Sequence, residues 1–199
     1  LKPGGQFMTQ KDGRSDVGTM TTSAVQEGDQ WRLYGEKWFC SNADAKVVML
    51  LARPEGAGPG TRGVGLFLMP RYLDDGSQNH YRIVRLKDKL GTRSMASGEI
   101  KLEGAIAYAV GKLDRGFVQM AEMVNSSRLS NGVKSTALMR RAHHDALMVA
   151  KNRVVFGQPI IDLPLARRQL MKIMLPTEQA LSLRFLTADA LDRADAGSQ

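Results

Sequence analysis

The feature that most constrains the fold of this chain is a change of hydrophobic period near Gly116. Before it, short alternating or apolar runs are separated by Gly, Pro and Asp turns, a pattern typical of β-strands. After it, apolar residues recur at three- and four-residue steps, which indicates long helices. We therefore predict an α+β fold: a small antiparallel β-barrel or sandwich over residues 1–112, then long antiparallel helices over 113–199 that form part of a helical bundle.

The β region shows several strands. Gln30–Lys37 alternates, with Trp31 and Leu33 on one face and Arg32 and Tyr34 on the other. Val47–Ala52 is a short apolar run that suits a strand buried on both faces, and Val64–Met69 is another apolar strand. Gly98–Leu102 and Ile106–Val110 are predicted as two further short strands.

The helical region should contain two long helices. The first runs from Phe117 to about Lys151, with a break near Asn125–Ser127, and Phe156-Gly157 is its predicted stop. Asp162 is a candidate N-cap of the second helix, which carries Pro164 in its first turn and an internal Pro176 that should kink it or free a carbonyl. Two such helices cannot bury both faces alone, so further helices must come from elsewhere in the full chain or from a partner subunit.

Composition excludes some classes of protein. No apolar run approaches the roughly 20 residues that span a bilayer, and no signal segment opens the chain. The single Cys40 rules out an internal disulfide and favours a reducing, cytoplasmic setting. Cys40 has no histidine near it in sequence, so we interpret it as a packing residue. The chain starts at Leu1 and reads as a piece of a longer protein.

The net charge is +8. Residues 125–199 carry 11 basic and 6 acidic groups, a net +5, so the excess lies mostly in the helical part. Such an excess favours phosphate-bearing partners such as a coenzyme A tail, a dinucleotide or DNA. For the charge alone, solvated lysine and arginine side chains are the better explanation.

Two segments, MTQKDGRSDV (Met8–Val17) and GEKWFCSN (Gly35–Asn42), combine hydroxyls, small residues and aromatic rings. The strand–turn–strand pattern between them would fold one beside the other. Donors beside an apolar wall are what a flat, redox-active ring such as a flavin needs. Thr9 and Ser41 are the candidate hydroxyls, and Trp38 or Phe39 the candidate ring contact. Taken alone, such residues are usually ordinary parts of strands and cores.

These segments resemble two signatures of the acyl-CoA dehydrogenase family, Met/Val-Thr-Glu-x-x-x-Gly-Ser-Asp-Val and Gly-x-Lys-x-Trp/Phe-Ile/Phe-Thr/Ser-Asn. KDKLGTRSMASGEIKLEGA (Lys87–Ala105) resembles the family's Lys-x-Gly-x-Arg-x-Ser strand pair, and KNRVVFGQPIIDLP (Lys151–Pro164) its Arg-x-x-Phe-Gly helix end. The four blocks keep the family's order and cover its middle β domain and the start of its C-terminal helical domain. KWFCSN, LKDKLGTRSMAS and MRRA resemble more narrowly the AidB-like branch, the flavoproteins of the adaptive response to alkylation.

The resemblance implies an FAD-dependent oxidoreductase that acts on the CH–CH group of an acyl-CoA thioester and forms a homotetramer. It implies that Met8 and Thr9 hold the pyrimidine edge of the flavin and that Ser15 lies near the pyrophosphate or the acyl-CoA. It places Arg128 at the acyl-CoA cleft, although an ordinary surface arginine is the alternative. Arg153 would reach the adenine-diphosphate part of FAD in a neighbouring subunit, or would simply complement the helix dipole. The full cofactor-binding set that we expect is Phe7, Met8, Thr9, Ser15, Phe39, Cys40, Ser41, Arg153 and Phe156.

The chain departs from the family's pattern at functional positions. Gln10-Lys11 replaces the usual Glu-Pro, and Ser127 stands where some members carry the catalytic glutamate. Most members supply that base from a later helix, which would lie beyond Gln199, so we expect no catalytic residue in this chain. The remaining candidate acids are interpreted as solvated carboxylates: Glu99, Glu103 and Glu122. His80, His143 and His144 do not have the spacing of a metal site.

Three functions follow from these observations. The first is an FAD-dependent acyl-CoA dehydrogenase, and the second is a flavoprotein that binds double-stranded DNA in a protective or repair-associated role. The third, a homologue that has lost its cofactor, is disfavoured because Thr9, Ser15, Phe39 and Ser41 are retained. The sequence predicts neither the acyl chain nor the identity of the base.

Overall fold

The computed structural model describes residues 3–11 and 16–197. Contacts divide the chain into two compact units, Leu1–Glu122 and Met123–Gln199. The elements, in chain order, are β1 (Gly4–Phe7), β2 (Ser23–Glu27), β3 (Gln30–Ser41), β4 (Val47–Pro54), β5 (Gly65–Pro70), β6 (Tyr81–Leu86), β7 (Ser97–Ala109), α1 (Gly116–Asn152), β8 (Val154–Val155), β9 (Gln158–Pro159) and α2 (Pro164–Ala196). The predicted α+β class is confirmed.

The first unit is a closed barrel. Its ring of pairings runs from β3 to β2, β4, β5 and β7 and returns to β3, while β1 lies beside β3 and β4, and β6 pairs with β7. The prediction of an antiparallel barrel needs one correction, because β4 pairs in parallel with both β1 and β2. Both of these strands are antiparallel to β3, and they run in the same direction as β4.

The barrel core is formed by the inward-facing residues of successive strands. On β3, Trp31 and Leu33 are buried, whereas Tyr34 faces outward and is 44% exposed, as the alternation predicted. The ring of Trp31 meets that of Phe67 edge-on, with centroids 5.4 Å apart. Each fully buried large apolar side chain contributes roughly 1.5–3 kcal/mol, so these side chains dominate the stability of the barrel.

β7 is one strand of 13 residues rather than the two short strands predicted from the sequence. Its pairing with β3 shifts at Gly104, because Leu33 pairs with Ala105 but Tyr34 pairs with Glu103. Gly104 has a φ of 84°, a conformation that glycine adopts without strain. A bulge therefore allows a single strand to bend where two strands were expected.

The first turns of α1 pack on the barrel. The Gly116 N–H donates to the carbonyl of Val64, and a Cβ at this position would clash with the backbone carbonyl carbon of Gly65. Met120, one turn later, is fully buried. The contacts of these turns assign them to the first unit, which ends at Glu122. The predicted domain boundary between residues 112 and 113 stays a prediction.

In the second unit, α1 and α2 lie antiparallel. The Arg184 guanidinium occupies the space that a side chain at Gly132 would take, and Ala150 and Ala166 line one groove between the helices.

Three details of the predicted helices are wrong. α1 has no break at Asn125–Ser127 and ends at Asn152, before Phe156-Gly157. Leu163, not Asp162, is the N-cap of α2, and Pro164 follows it in the first turn. Among the described helices, none is both long enough and apolar enough to cross a bilayer.

Lys37 is an unusual member of the barrel interior. It is 1% exposed, and the polar contact of its Nζ among the described residues is with the Met20 thioether, 3.7 Å away. Burial lowers the pKa of Lys37 to about 7, despite the opposing influence of Cys40. Because this pKa is lower in the folded state than in the unfolded chain, folding releases a proton between about pH 7 and pH 10.5. The contribution of Lys37 to stability therefore becomes more favourable as the pH rises through this window.

We predict that Lys37→Met raises the free energy of unfolding at pH 7, because it replaces a buried ionisable side chain with an apolar side chain of similar size. The gain should shrink by about 3 kcal/mol, to order of magnitude, between pH 7 and pH 9.5, because wild-type Lys37 is then neutral in the folded state. Urea unfolding at both pH values measures this, with Lys46→Met at an exposed position as the control. A destabilised variant, or a gain that is independent of pH, would contradict the account.

Candidate functional site

The two segments singled out in the sequence lie side by side in the structure. Gln6 of β1 pairs antiparallel with Ser41 of β3, and in the same register the Trp38 N–H donates to the Thr9 carbonyl at 2.8 Å. This register sets Met8 opposite Phe39. The part of the first segment from residue 12 to 15, which includes Ser15, lies outside the described residues.

A β-bulge shapes the end of β3 at this point. Lys37 pairs with Ile100 of β7 and Cys40 pairs with Gly98, so that two residues of β3, Trp38 and Phe39, face a single residue of β7. Phe39 has a φ of 55°, in the left-handed region that non-glycine residues seldom adopt. Bulges of this kind re-aim side chains and are frequent beside active sites.

The bulge turns the Phe39 ring out of the barrel. In regular alternation, a residue two positions after the buried Lys37 would face inward, but Phe39 is 59% exposed and Cys40 takes the next inward position. The cost of a left-handed non-glycine residue is of order 1–2 kcal/mol. The outward position of this flat aromatic ring therefore lowers the stability of the barrel.

Polar groups accompany this ring. Thr9 is half-buried and Ser41 is exposed, and within the described part of the chain neither side-chain hydroxyl has a hydrogen-bond partner. An exposed aromatic surface with unpaired hydroxyls on the same pair of segments fits a flat ring with polar edges. The residues present therefore suit a flavin.

Phe7 and Cys40 cannot offer their side chains to such a ligand. Both are fully buried in the barrel core, so only their backbone atoms remain available. Burial also raises the pKa of the Cys40 thiol to about 12, which keeps the thiol protonated at neutral pH. These properties agree with the interpretation of Cys40 as a packing residue.

Gln10 fixes the path of the first segment. Its side chain is 5% exposed, its amide nitrogen donates to the Thr22 hydroxyl, and its amide oxygen accepts the Thr21 N–H at 2.8 Å. An ionised glutamate, which the family signature has at this position, could not make the donor contact to Thr22. The departure from the signature is thus matched by local hydrogen bonding.

Glu99, the residue that faces the bulge, is not the solvated carboxylate that we expected. Its side chain is 19% exposed and accepts hydrogen bonds from Arg85, Lys87 and the Trp38 indole. Hydrogen bonds from Arg85 above all, and then from Lys87 and Trp38, lower the pKa of Glu99 to about 2. The pairing of β6 with β7, which are separated by a long loop, brings Arg85 next to Glu99. The spacing of these residues in the sequence does not predict that pairing.

The other predicted site residues lie in the second unit. Arg128 is exposed on α1, where its guanidinium donates to the Asn125 side chain at 3.0 Å. Arg153 is exposed directly after α1, and its carbonyl accepts the Ile160 N–H at 2.9 Å.

Phe156 occupies the tip of a tight hairpin. Val155 of β8 pairs with Gln158 of β9, which leaves a two-residue turn in which Phe156 and Gly157 both have positive φ, 52° and 78°. Such turns prefer Asn-Gly or Gly-Gly, so an aromatic residue here is strained. Phe156 is 89% exposed. Phe39 and Phe156 thus share two properties: each has an exposed aromatic ring and a backbone with positive φ.

Comparison with known proteins agrees with these observations. Residues 5–105 match the model of the acyl-CoA dehydrogenase middle domain, and residues 114–199 match that of the acyl-CoA dehydrogenase C-terminal domain. The chain is 41% identical to acyl-CoA dehydrogenase family member 11 of Caenorhabditis elegans and 40% identical to AidB of Escherichia coli (strain K12), over 97% and 98% of its own length.

The similarity extends to three dimensions. The crystal structure of Caenorhabditis elegans ACDH-11 in complex with C11-CoA superposes on all of this chain with a TM-score of 0.89, at 40% identity, and 35% of that structure is covered. The chain spans 32% and 37% of the two curated relatives, about a third of their length. With both of its parts matched, the chain belongs to the acyl-CoA dehydrogenase family.

Proposed function

We propose that the whole protein is an FAD-dependent oxidoreductase that removes hydrogen from the CH–CH group next to the thioester of an acyl-CoA. The observation that carries this proposal is the outward-facing Phe39 ring on the same pair of segments as Thr9 and Ser41, whose hydroxyls have no hydrogen-bond partner among the described residues. Membership of the family supports it. FAD, when bound, supplies the acceptor for the hydride that leaves the substrate.

The residues of this chain would bind and orient the cofactor. We assign the backbone of Phe7, Met8 and Thr9 to the pyrimidine edge of the flavin. Phe39 would pack on the ring and exclude water. The Ser41 hydroxyl or backbone N–H would lie near N5, where reduction places electron density. Cys40 would take part through its backbone alone, since its side chain is buried.

Other assignments follow the family resemblance. Ser15 is proposed to contact the pyrophosphate or the acyl-CoA, and Arg128 the acyl-CoA. Arg153 and Phe156 are proposed to reach the adenine-diphosphate part of an FAD bound in a neighbouring subunit. The exposure of Phe156 on a strained turn supports a contact outside its own unit. The base that abstracts the α-proton is proposed to lie outside this chain.

The thioester substrate is supported by the C11-CoA complex of ACDH-11. We further propose a cytoplasmic homotetramer. Many large apolar side chains on α1 and α2 are exposed, among them Leu138, Met148, Leu175, Leu183, Phe185 and Leu186, and such faces need partner helices.

We predict that the purified whole protein shows the visible absorption of a flavin and that a matching acyl-CoA, tested over C4 to C11 chains, bleaches it. Phe39→Ala should weaken FAD binding about tenfold, the equivalent of about 1.4 kcal/mol, because the ring loses its aromatic contact. Tyr72→Ala, which removes another half-exposed aromatic of the barrel, is the matched control and should leave FAD affinity unchanged. A protein that takes up no FAD, or a flavin that no thioester bleaches, would overturn the proposal.

A second candidate, double-stranded DNA binding by a protein of the alkylation-response branch, is favoured by one observation. Residues 140–172 contain seven basic and two acidic residues, and every basic one is exposed. Asp145 and Asp162 pair with Arg141 and Arg167. The other five basic residues have no ion pair among the described residues and could meet phosphates: Arg140, Lys151, Arg153, Arg168 and Lys172.

We predict for this candidate that duplex DNA binding falls steeply with salt. Lys151→Gln, Arg168→Gln and Lys172→Gln together should reduce the slope of log K against log salt by about 2.7, which corresponds to three lost phosphate contacts. The control replaces three exposed basic residues of the first unit by Gln: Lys46, Arg62 and Lys112. DNA binding that is absent, or equally weakened by the control, would remove this candidate.

A further inference from the structure

The bulge at Trp38 and Phe39 is joined to a compact group of charged residues on the outer face of the barrel. Glu99 is the residue of β7 that faces both bulge residues. Its Oε1 accepts from the Trp38 indole N–H, from Arg85 Nη2 at 2.8 Å and from Lys87 Nζ at 3.0 Å, and its Oε2 accepts from Arg85 Nε at 2.8 Å. The carboxylate therefore connects β7, the end of β6 and the bulge.

Lys87 extends this group to the aromatic rings. Its ammonium lies 3.8 Å from the centroid of the Trp38 ring and 4.4 Å from that of Phe39. The two rings are tilted by 42° with centroids 5.4 Å apart, so one cation contacts the π-surfaces of both. The Lys87 side chain is 18% exposed, which strengthens its electrostatic contacts relative to those of a fully solvated lysine.

The arrangement differs from an ordinary surface ion pair. Glu103, two positions further along the same strand, pairs with Arg82 at 3.3 Å and with Lys101 at 3.5 Å, but its side chain is 46% exposed. Among the described residues, neither Arg82 nor Lys101 makes a cation–π contact. Exposed pairs of this kind contribute little to stability. Glu99 instead satisfies an indole N–H and anchors the cation that contacts Phe39.

We infer that Glu99 is a positioning residue, which acts through Lys87 and Trp38 to hold the Phe39 ring in the outward orientation that a flavin packs against. This inference rests on the proposed function, since it names the support of the same cofactor surface. The left-handed backbone of Phe39 is unfavourable by itself, so the outward ring must be stabilised by contacts from outside β3. Glu99 and Lys87 provide such contacts.

The test compares Glu99→Gln and Lys87→Met with Glu103→Gln in the whole protein. Glu99→Gln keeps the shape of the side chain but removes its charge, and Lys87→Met keeps the aliphatic stem but removes the ammonium. Glu103→Gln removes the same charge from the same strand, away from the rings. Because two different members of the group are replaced, a variant that fails to fold does not end the test.

The first readout needs no cofactor. With 5-fluorotryptophan incorporated, the ¹⁹F resonance of Trp38, assigned by its loss in Trp38→Phe, should shift in Glu99→Gln and in Lys87→Met but not in Glu103→Gln. The second readout is FAD binding. We expect the dissociation constant to rise about tenfold in the two test variants and less than twofold in the control. At saturating FAD, the visible flavin band should also shift in the test variants, because the ring in contact with it has moved.

Each outcome has a distinct meaning. If the wild-type protein binds no FAD, the proposed function is wrong and the cofactor role of Glu99 is overturned with it. If the wild type binds FAD and both test variants match it in affinity and spectrum, the inference alone is overturned, even where the ¹⁹F resonance shifts. Equal effects of Glu99→Gln and Glu103→Gln would also overturn it, because they would indicate a general loss of surface charge.

Discussion

Two residues of β3 face one residue of β7, and this extra residue decides which side chains of the strand face the core and which face outward. Before the bulge, Trp31, Leu33 and Lys37 face inward in regular alternation, and after it Cys40 faces inward while Phe39 points out. Without the bulge, regular alternation of the same residues would bury the Phe39 ring and expose the Cys40 thiol. The candidate cofactor surface exists because the register changes at this point.

The closed barrel makes such a register change tolerable. β3 pairs with β2 on one side and with β7 on the other, and the first segment bonds to it through the Trp38 N–H and the Thr9 carbonyl. At the bulge, the Trp38 N–H is thus hydrogen-bonded to the first segment. The same hydrogen bond brings Thr9 close to the bulge. It therefore gives a backbone N–H its partner and also brings the two segments of the site together.

Much of the architecture could be predicted from the sequence because it depends on local patterns. Alternation identified the inward face of β3, and the change of period placed the start of the helices within a few residues of Gly116. The errors arose where long-range pairing decides the outcome. Gly104 permits one long β7 instead of two strands, and Phe156-Gly157 closes a hairpin although the pair also suits a helix end. The chemistry of Glu99 depends on a partner strand separated from it by a long loop, and alternation carries no information about that pairing.

The position of the flavin ring against Phe39 is tested most directly by a structure of the whole protein with FAD added. We expect the isoalloxazine ring to lie against Phe39, with the Thr9 and Ser41 hydroxyls or their backbone groups within hydrogen-bond distance of its polar edge, and with Lys87 still over the Phe39 ring. A flavin bound elsewhere on the barrel, or a Phe39 ring turned away from it, would contradict the account.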